Sequence, residues 1–287
     1  MACYLCQSTD ISQRKGQVRD APSLRILECA RCGLVYLENA DHIHDAFYEN
    51  SGMHGQEPPP IGSWLADTDW DDQRRFEMVK SLLPNKRLLD FGCGAAGFLR
   101  KARGLAGAVA GVELERRVRE HWAGEIAIYP DLDAAGDGYD LVTAFHVVEH
   151  LADPVALLRQ LASRLRAGGR LIVEVPSSDD ALLTLYDSPA FQSFTYWSQH
   201  LYLFNAHTLA LLAARAGLRV LAVEQYQRYP LSNHLHWLSQ GRPGGHQRWA
   251  FLDSPQLQSA YCEALAAIGR CDTLIAHLDL PAGDPGL

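Results

Sequence analysis

Residues 88–97 read Leu-Leu-Asp-Phe-Gly-Cys-Gly-Ala-Ala-Gly. Arg87 to Phe91 is a short apolar run that predicts a buried strand, and Phe98 to Arg103 opens a helix. Between them, Gly92-Cys-Gly-Ala-Ala-Gly97 lets the backbone approach a ligand closely. Dinucleotide enzymes share that glycine spacing, so the acid beside it matters. Asp90, just before the glycines, repels a pyrophosphate and suits a cationic amino-acid tail.

Upstream, Asp71 to Leu83 has amphipathic helical spacing ended by Pro84. Downstream, Ala108 to Val112 predicts a second strand ending at Glu113, where a carboxylate can bind both ribose hydroxyls. Tyr139 to Phe145 and Arg170 to Val175 predict two more. Between those two, Asp153 as N-cap, Pro154 in the first turn and Gly168-Gly169 as a stop bound a helix. Asn205 to Ala216 reads as a helix stopped by Gly217, and Leu218 to Gln225 as a strand completing the sheet. Alternating strands and helices imply an α/β fold, a parallel sheet with helices on both faces and a ligand beyond the strands' carboxyl ends.

Leu88 to Gly97 resembles the first motif of class I S-adenosylmethionine-dependent methyltransferases. Phe145-His-Val-Val-Glu-His-Leu-Ala-Asp-Pro154 is similar to the motif after their fourth strand. The resemblance covers roughly residues 71–225 and implies a Rossmann-like methyltransferase sheet with S-adenosylmethionine as cofactor. It implies that Asp90, Gly92 and Gly94, with Cys93 and Gly97 in the same loop, cradle the methionine end. It also implies that Glu113 holds the ribose, that Asp131 and Leu132 frame the adenine, and that His146 lies beside the sulfonium.

Cys3-Tyr-Leu-Cys6 and Cys29-Ala-Arg-Cys32 are two pairs with the spacing of zinc knuckles, and Gly33 suits the turn after the second. Four thiolates close a tetrahedron, so the expected zinc is structural. The other reading is two redox pairs or free cysteines. The polar segment Gln7–Glu28 could not build a core without such a staple. The expected organisation is a zinc ribbon over 1–40, a connector over 41–70, a cofactor-binding core over 71–225 and an extension over 226–287. In the connector, His42, His44 and His54 read as surface or pocket residues, and Tyr48 and Trp64 as packing or cofactor-covering groups near Phe47.

The net charge of −8 and the near-balanced charge of residues 1–40 argue against a nucleic-acid partner and for a small-molecule acceptor. No apolar run reaches membrane-spanning length, and MACYLCQSTD has no secretory character, so a soluble cytoplasmic protein is expected.

Methyl transfer needs a positioned nucleophile and, for many acceptors, a base. His200, His146 and His150 are the candidates, with Glu149 and Tyr196 in support. His200 alternatively orders a lid, and His150 alternatively plays a structural part. Phe191 to Phe204, FQSFTYWSQHLYLF, is an aromatic stretch expected to cover the acceptor. It resembles the Tyr-His-Glu-His-x-x-Tyr-Phe stretch of zinc-containing deoxysugar C-methyltransferases, with His200 on the second histidine. Trp197, Ser198 and Gln199 depart from that family's Tyr, His and Glu.

Beyond the core, Arg228, Tyr229, Asn233, His236, His246 and Trp249 are candidate pocket residues. Gln256 to His277 has helical spacing and could pack on the core or a second subunit, and the last residues, from Pro281, read as frayed. The expected function is methylation of a small molecule such as a sugar or nucleotide-sugar. The alternatives are an RNA methyltransferase, and a non-catalytic partner-binding protein that keeps a cofactor pocket.

Overall fold

The computed structural model describes residues 2–42 and 58–281. His44, Phe47, Tyr48, His54 and residues 282–287 lie outside them. The strands are β1 (Ile11–Gln13), β2 (Ile26–Cys29), β3 (Val35–Leu37), β4 (Arg87–Phe91), β5 (Ala108–Val112) and β6 (Ala127–Tyr129). They continue as β7 (Tyr139–Phe145), β8 (Leu165–Pro176), β9 (Tyr202–Leu203), β10 (Arg219–Tyr226) and β11 (Thr273–Asp279).

A seven-stranded sheet runs β10-β11-β8-β7-β4-β5-β6. From β8 to β6 every pairing is parallel. β11 is antiparallel to both β8 and β10. The chain leaves β4 for β5 on one side and later fills β7 on the other, so β4 sits where the strand order reverses. The glycine loop emerges at that point, the place where open α/β sheets bind ligands.

Three elements differ from the expectation. Thr273–His277 is strand, not helix: Gly269, at φ 66°, ends the helix Pro255–Ala267, and β11 is covered on both faces. A continuous apolar run in such a strand carries no alternation to distinguish it from a buried helix. The helix before β4 begins at Ile61 behind Pro60, so the last third of the expected connector is helical. β6 completes the parallel edge where no strand was expected.

The cysteine-rich segment is not a free-standing ribbon. Its strands β1, β2 and β3 form an antiparallel sheet completed by β9, from the aromatic stretch after β8. Val18, Ile26, Val35 and Leu37 share a core with Leu183, Tyr196, Leu201 and Leu203. The helix Ala206–Arg215 supports this unit from below, where Arg215 donates to the Tyr4 carbonyl at 2.7 Å.

Candidate active site

At the end of β4, Asp90 is buried and accepts a hydrogen bond from Thr143 Oγ1 at 2.7 Å. Burial pushes its carboxyl up to about 7, against the Thr143 bond that lowers it. Gly92 and Gly94 have φ of 69° and 52°, the left-handed region that favours glycine. A Cβ on Gly92 would meet Val147 at 2.5 Å, and one on Gly97 would run into the Asp72 carboxylate. Cys93 turns its thiol under the loop against Gly111, so its side chain is a packing group there.

Glu113, at the end of β5, accepts from the Gly94 amide at 2.9 Å and the Glu115 amide at 3.0 Å. Asp131 caps the turn Leu132–Ala135 by accepting from Ala134 N at 2.8 Å. These residues, together with His146, His150 and His200, line one cavity of about 1040 Å³.

The three histidines differ electrostatically. His146, at φ 54°, has Nδ1 at 3.2 Å from Glu149 Oε1 and Nε2 at 3.2 Å from Glu174 Oε1. Burial alone would lower its pKa, but the two carboxylates outweigh it and hold the imidazole above its usual value. Burial lowers His150, whose Nδ1 bonds the Gln199 carbonyl at 2.9 Å. His200 packs 4.9 Å from the His150 ring and 5.6 Å from Trp197. Burial, then the neighbouring His150, drops it to about 3, which makes it a neutral imidazole at physiological pH. The two carboxylates therefore favour a protonated His146, while His200 stays neutral.

Several residues at this site had not been singled out from the sequence. Glu174, wholly buried on β8, takes Arg74 Nη2 at 2.8 Å and Arg75 Nη2 at 2.7 Å on one oxygen. Arg74 also reaches Asp71 Oδ1 at 3.3 Å, and Asp71 holds Arg228 through two bonds. The signal was available in part: Glu174 interrupts the apolar run Leu171-Ile-Val-Glu-Val175. Nothing in the spacing of Asp71, Arg74 and Arg75 tells a pocket-facing helix from a solvated one.

The far end of the cavity is aromatic, lined by Trp197, Tyr229 and a cluster in which Trp237 packs on Phe191 and Phe194 at 5.1 and 4.9 Å. Of the expected C-terminal residues, Arg228, Tyr229, Asn233 and His246 line it, and His234 joins them. His236 and Trp249 do not: their rings meet edge-to-face at 5.1 Å, and His236 Nδ1 faces the Arg242 carbonyl. Tyr196 is also elsewhere, receiving Arg14 Nε at 2.9 Å in the joint with the cysteine-rich unit. That unit contributes Arg19, whose guanidinium lies 4.9 Å from the Trp197 ring. His42 Nε2 contacts the Ser198 carbonyl at 2.6 Å, away from the cysteines.

The four Sγ atoms of Cys3, Cys6, Cys29 and Cys32 lie within 4.8 Å of one another, with Cys3–Cys32 at 3.6 Å and Cys6–Cys29 at 3.5 Å. Thiolates on a tetrahedral zinc, with bonds near 2.3 Å, stand ~3.8 Å apart. The donor set and its spacing fit that ion.

Residues 66–223 match a family described as a methyltransferase domain. The chain is similar to the ubiquinone biosynthesis O-methyltransferase of Aeromonas salmonicida, 28% identical over 136 residues covering 38% of this chain and 57% of the relative. It is similar to the tRNA U34 carboxymethyltransferase of Campylobacter hominis, 28% identical over 131 residues, 41% of this chain and 46% of the relative. The chain thus spans about half the length of these curated relatives. A chain from the complex between the Haloferax volcanii Trm112 methyltransferase activator and a methyltransferase superposes with a TM-score of 0.53 at 14% identity. That superposition covers 78% of this chain and 97% of the other, and bears on the fold alone.

Proposed function

The chain belongs to the methyltransferase-domain family, and from that premise we propose that it moves a methyl group from S-adenosylmethionine to a hydroxyl of a small molecule held under the aromatic wall. The observation that carries this reading is the continuity of the cavity. At about 1040 Å³ it exceeds what one drug-sized ligand fills, and it joins the glycine loop to Phe191, Phe194, Trp197 and Trp237.

When bound, S-adenosylmethionine supplies an electrophilic methyl group on a cationic sulfur. Asp90 faces the amino-acid end, where a cationic partner stabilises its ionised form. The Glu113 carboxylate, steadied by two backbone amides, takes the ribose hydroxyls, and Asp131 and Leu132 border the adenine. The aromatic wall excludes water and presents flat surfaces to a ring-shaped acceptor. His146, whose protonated form Glu149 and Glu174 favour, sets a cation at the cavity wall that favours the ionised form of the acceptor. The O-methyltransferase relatives support a hydroxyl acceptor; a sugar ring and an aromatic ring would both stack on this wall. The cysteine cluster holds zinc as a structural clamp.

A second reading, an RNA acceptor, is supported by the tRNA-modifying relative. Incubation with methyl-labelled S-adenosylmethionine and a cell extract divided into small molecules, RNA and protein separates the two. Label in the small-molecule fraction, lost in His146→Gln, is the expected result. Label in RNA moves the assignment to the second reading.

A further inference from the structure

We propose that Glu149, His150 and His200 form a second metal site, a two-histidine, one-carboxylate site for a divalent first-row ion in the wall of the acceptor end. One ligand atom from each lies within 4.8 Å of the other two. Their origins differ: Glu149 and His150 sit on the one-turn helix after β7, and His200 on the lid leading into β9. The fold, not sequence adjacency, brings the third ligand in.

The hydrogen bonding of these residues suits an ion better than a proton-sharing cluster. Glu149 is wholly buried, yet its Oε2 has no hydrogen-bond partner. His200 Nδ1 is likewise buried and unpartnered. Orphaned buried polar atoms are costly, and a bound ion is one of the few things that satisfies them. His150 uses Nδ1 to bond the Gln199 carbonyl at 2.9 Å, which turns Nε2 toward Glu149 Oε1, 4.0 Å away. A ring nitrogen fixed by a backbone carbonyl is the outer contact that metal-bound histidines ordinarily have. His146, at 3.2 Å from Glu149 Oε1, orients the carboxylate in the same way.

Ligands on a zinc-sized ion stand ~3.4 Å apart, so closure asks for movements of under about 1 Å. Three protein ligands leave coordination positions open, and both histidines line the cavity. Imidazole and carboxylate donors suit Zn²⁺, Fe²⁺, Co²⁺ or Mn²⁺ over softer ions. There the ion would bind an oxygen of the acceptor and lower its pKa. This role rests on the methyltransferase reading; the binding of the ion does not.

Metal content of the full chain, loaded with Zn²⁺ and freed of excess, should be two ions per chain, falling to one in Glu149→Gln and in His200→Gln. Co²⁺ should fill one site with the intense thiolate charge-transfer band and another with weak ligand-field bands only, and the two variants should lose the second set alone. S-adenosylmethionine binding, measured on each variant, reports that it is folded. A single ion per chain in the wild type, or a second ion that survives both substitutions, overturns the proposal. A second ion in a chain that never transfers a methyl group would instead remove the catalytic reading and leave the site standing.

Discussion

Asp20 accepts two hydrogen bonds from Ser198, one from the backbone nitrogen at 2.9 Å and one from the hydroxyl at 2.7 Å. Ser198 stands between Trp197 and His200 on the lid, and Asp20 belongs to the cysteine-rich unit. Together with the β3–β9 pairing and Arg19 over Trp197, the bond makes that unit the frame of the acceptor wall. Removing it in Asp20→Ala should raise the acceptor KM by up to about tenfold, since Asp20 is exposed and its bonds are shared with water. Donor affinity should not change. Steady-state kinetics with an unchanged KM would detach the unit from acceptor binding.

Zinc should act through the same frame. Chelation, or Cys29→Ser, should lower Tm and expose the lid to protease before the core, because zinc on the four thiolates would hold the sheet that β9 completes. Calorimetric donor binding at low temperature should survive. Simultaneous loss of donor binding and lid protection would show that the two regions unfold as one.

Asp90 predicts a pH dependence. Its folded pKa of about 7 lies above its unfolded value, so the empty protein holds a proton there between about pH 4 and 7. A cationic ligand favours the ionised form, so donor binding should release a proton in that window and tighten as pH rises from 5.5 to 7. Titration calorimetry in two buffers of different ionisation heat measures the release. Equal affinity at both pH values, or a wild-type pH profile in Asp90→Asn, would rule it out.

Glu174 is wholly buried beneath two arginines, and removing its charge leaves Arg75 without that ion pair and Arg74 with Asp71 alone. Glu174→Gln should cost about 3 kcal/mol in denaturant unfolding. Burial opposes the Glu174 charge, but Arg75, His146 and Arg74 hold its carboxyl well below the usual range. Its stabilisation is therefore present above the unfolded pKa and lost as pH falls through the folded one. The cost of the substitution should accordingly shrink in acid.

Gly97→Ala places a methyl group against the Asp72 carboxylate, which is buried and bonded to Thr68 Oγ1 at 2.9 Å. The expected loss is about 1–3 kcal/mol of stability with weakened donor binding. Asp72→Ala in the same chain should restore part of it, and absence of any rescue would mean the strain lies elsewhere.

The strand-loop-helix at 87–103 and the acids at Asp90 and Glu113 were legible because each is a local device: a short apolar run, glycines with left-handed φ, a carboxylate at a strand end. The cysteine spacing likewise made each two-residue knuckle legible, and two such pairs together are the donor set of one tetrahedral ion. What the sequence could not carry was any property set by packing between distant segments. β11 is buried along most of its length and has no alternation to announce it. Pairing of Glu174 with Arg74 and Arg75 depends on which face a helix turns inward. Burial separates the pKa values of His146 and His200, two residues alike on paper. Residue type and short spacing thus determined the fold class and the donor end of the site. Desolvation and long-range contact, which exist only once the chain is folded, decided the acceptor end, and with it which histidine is basic and which neutral.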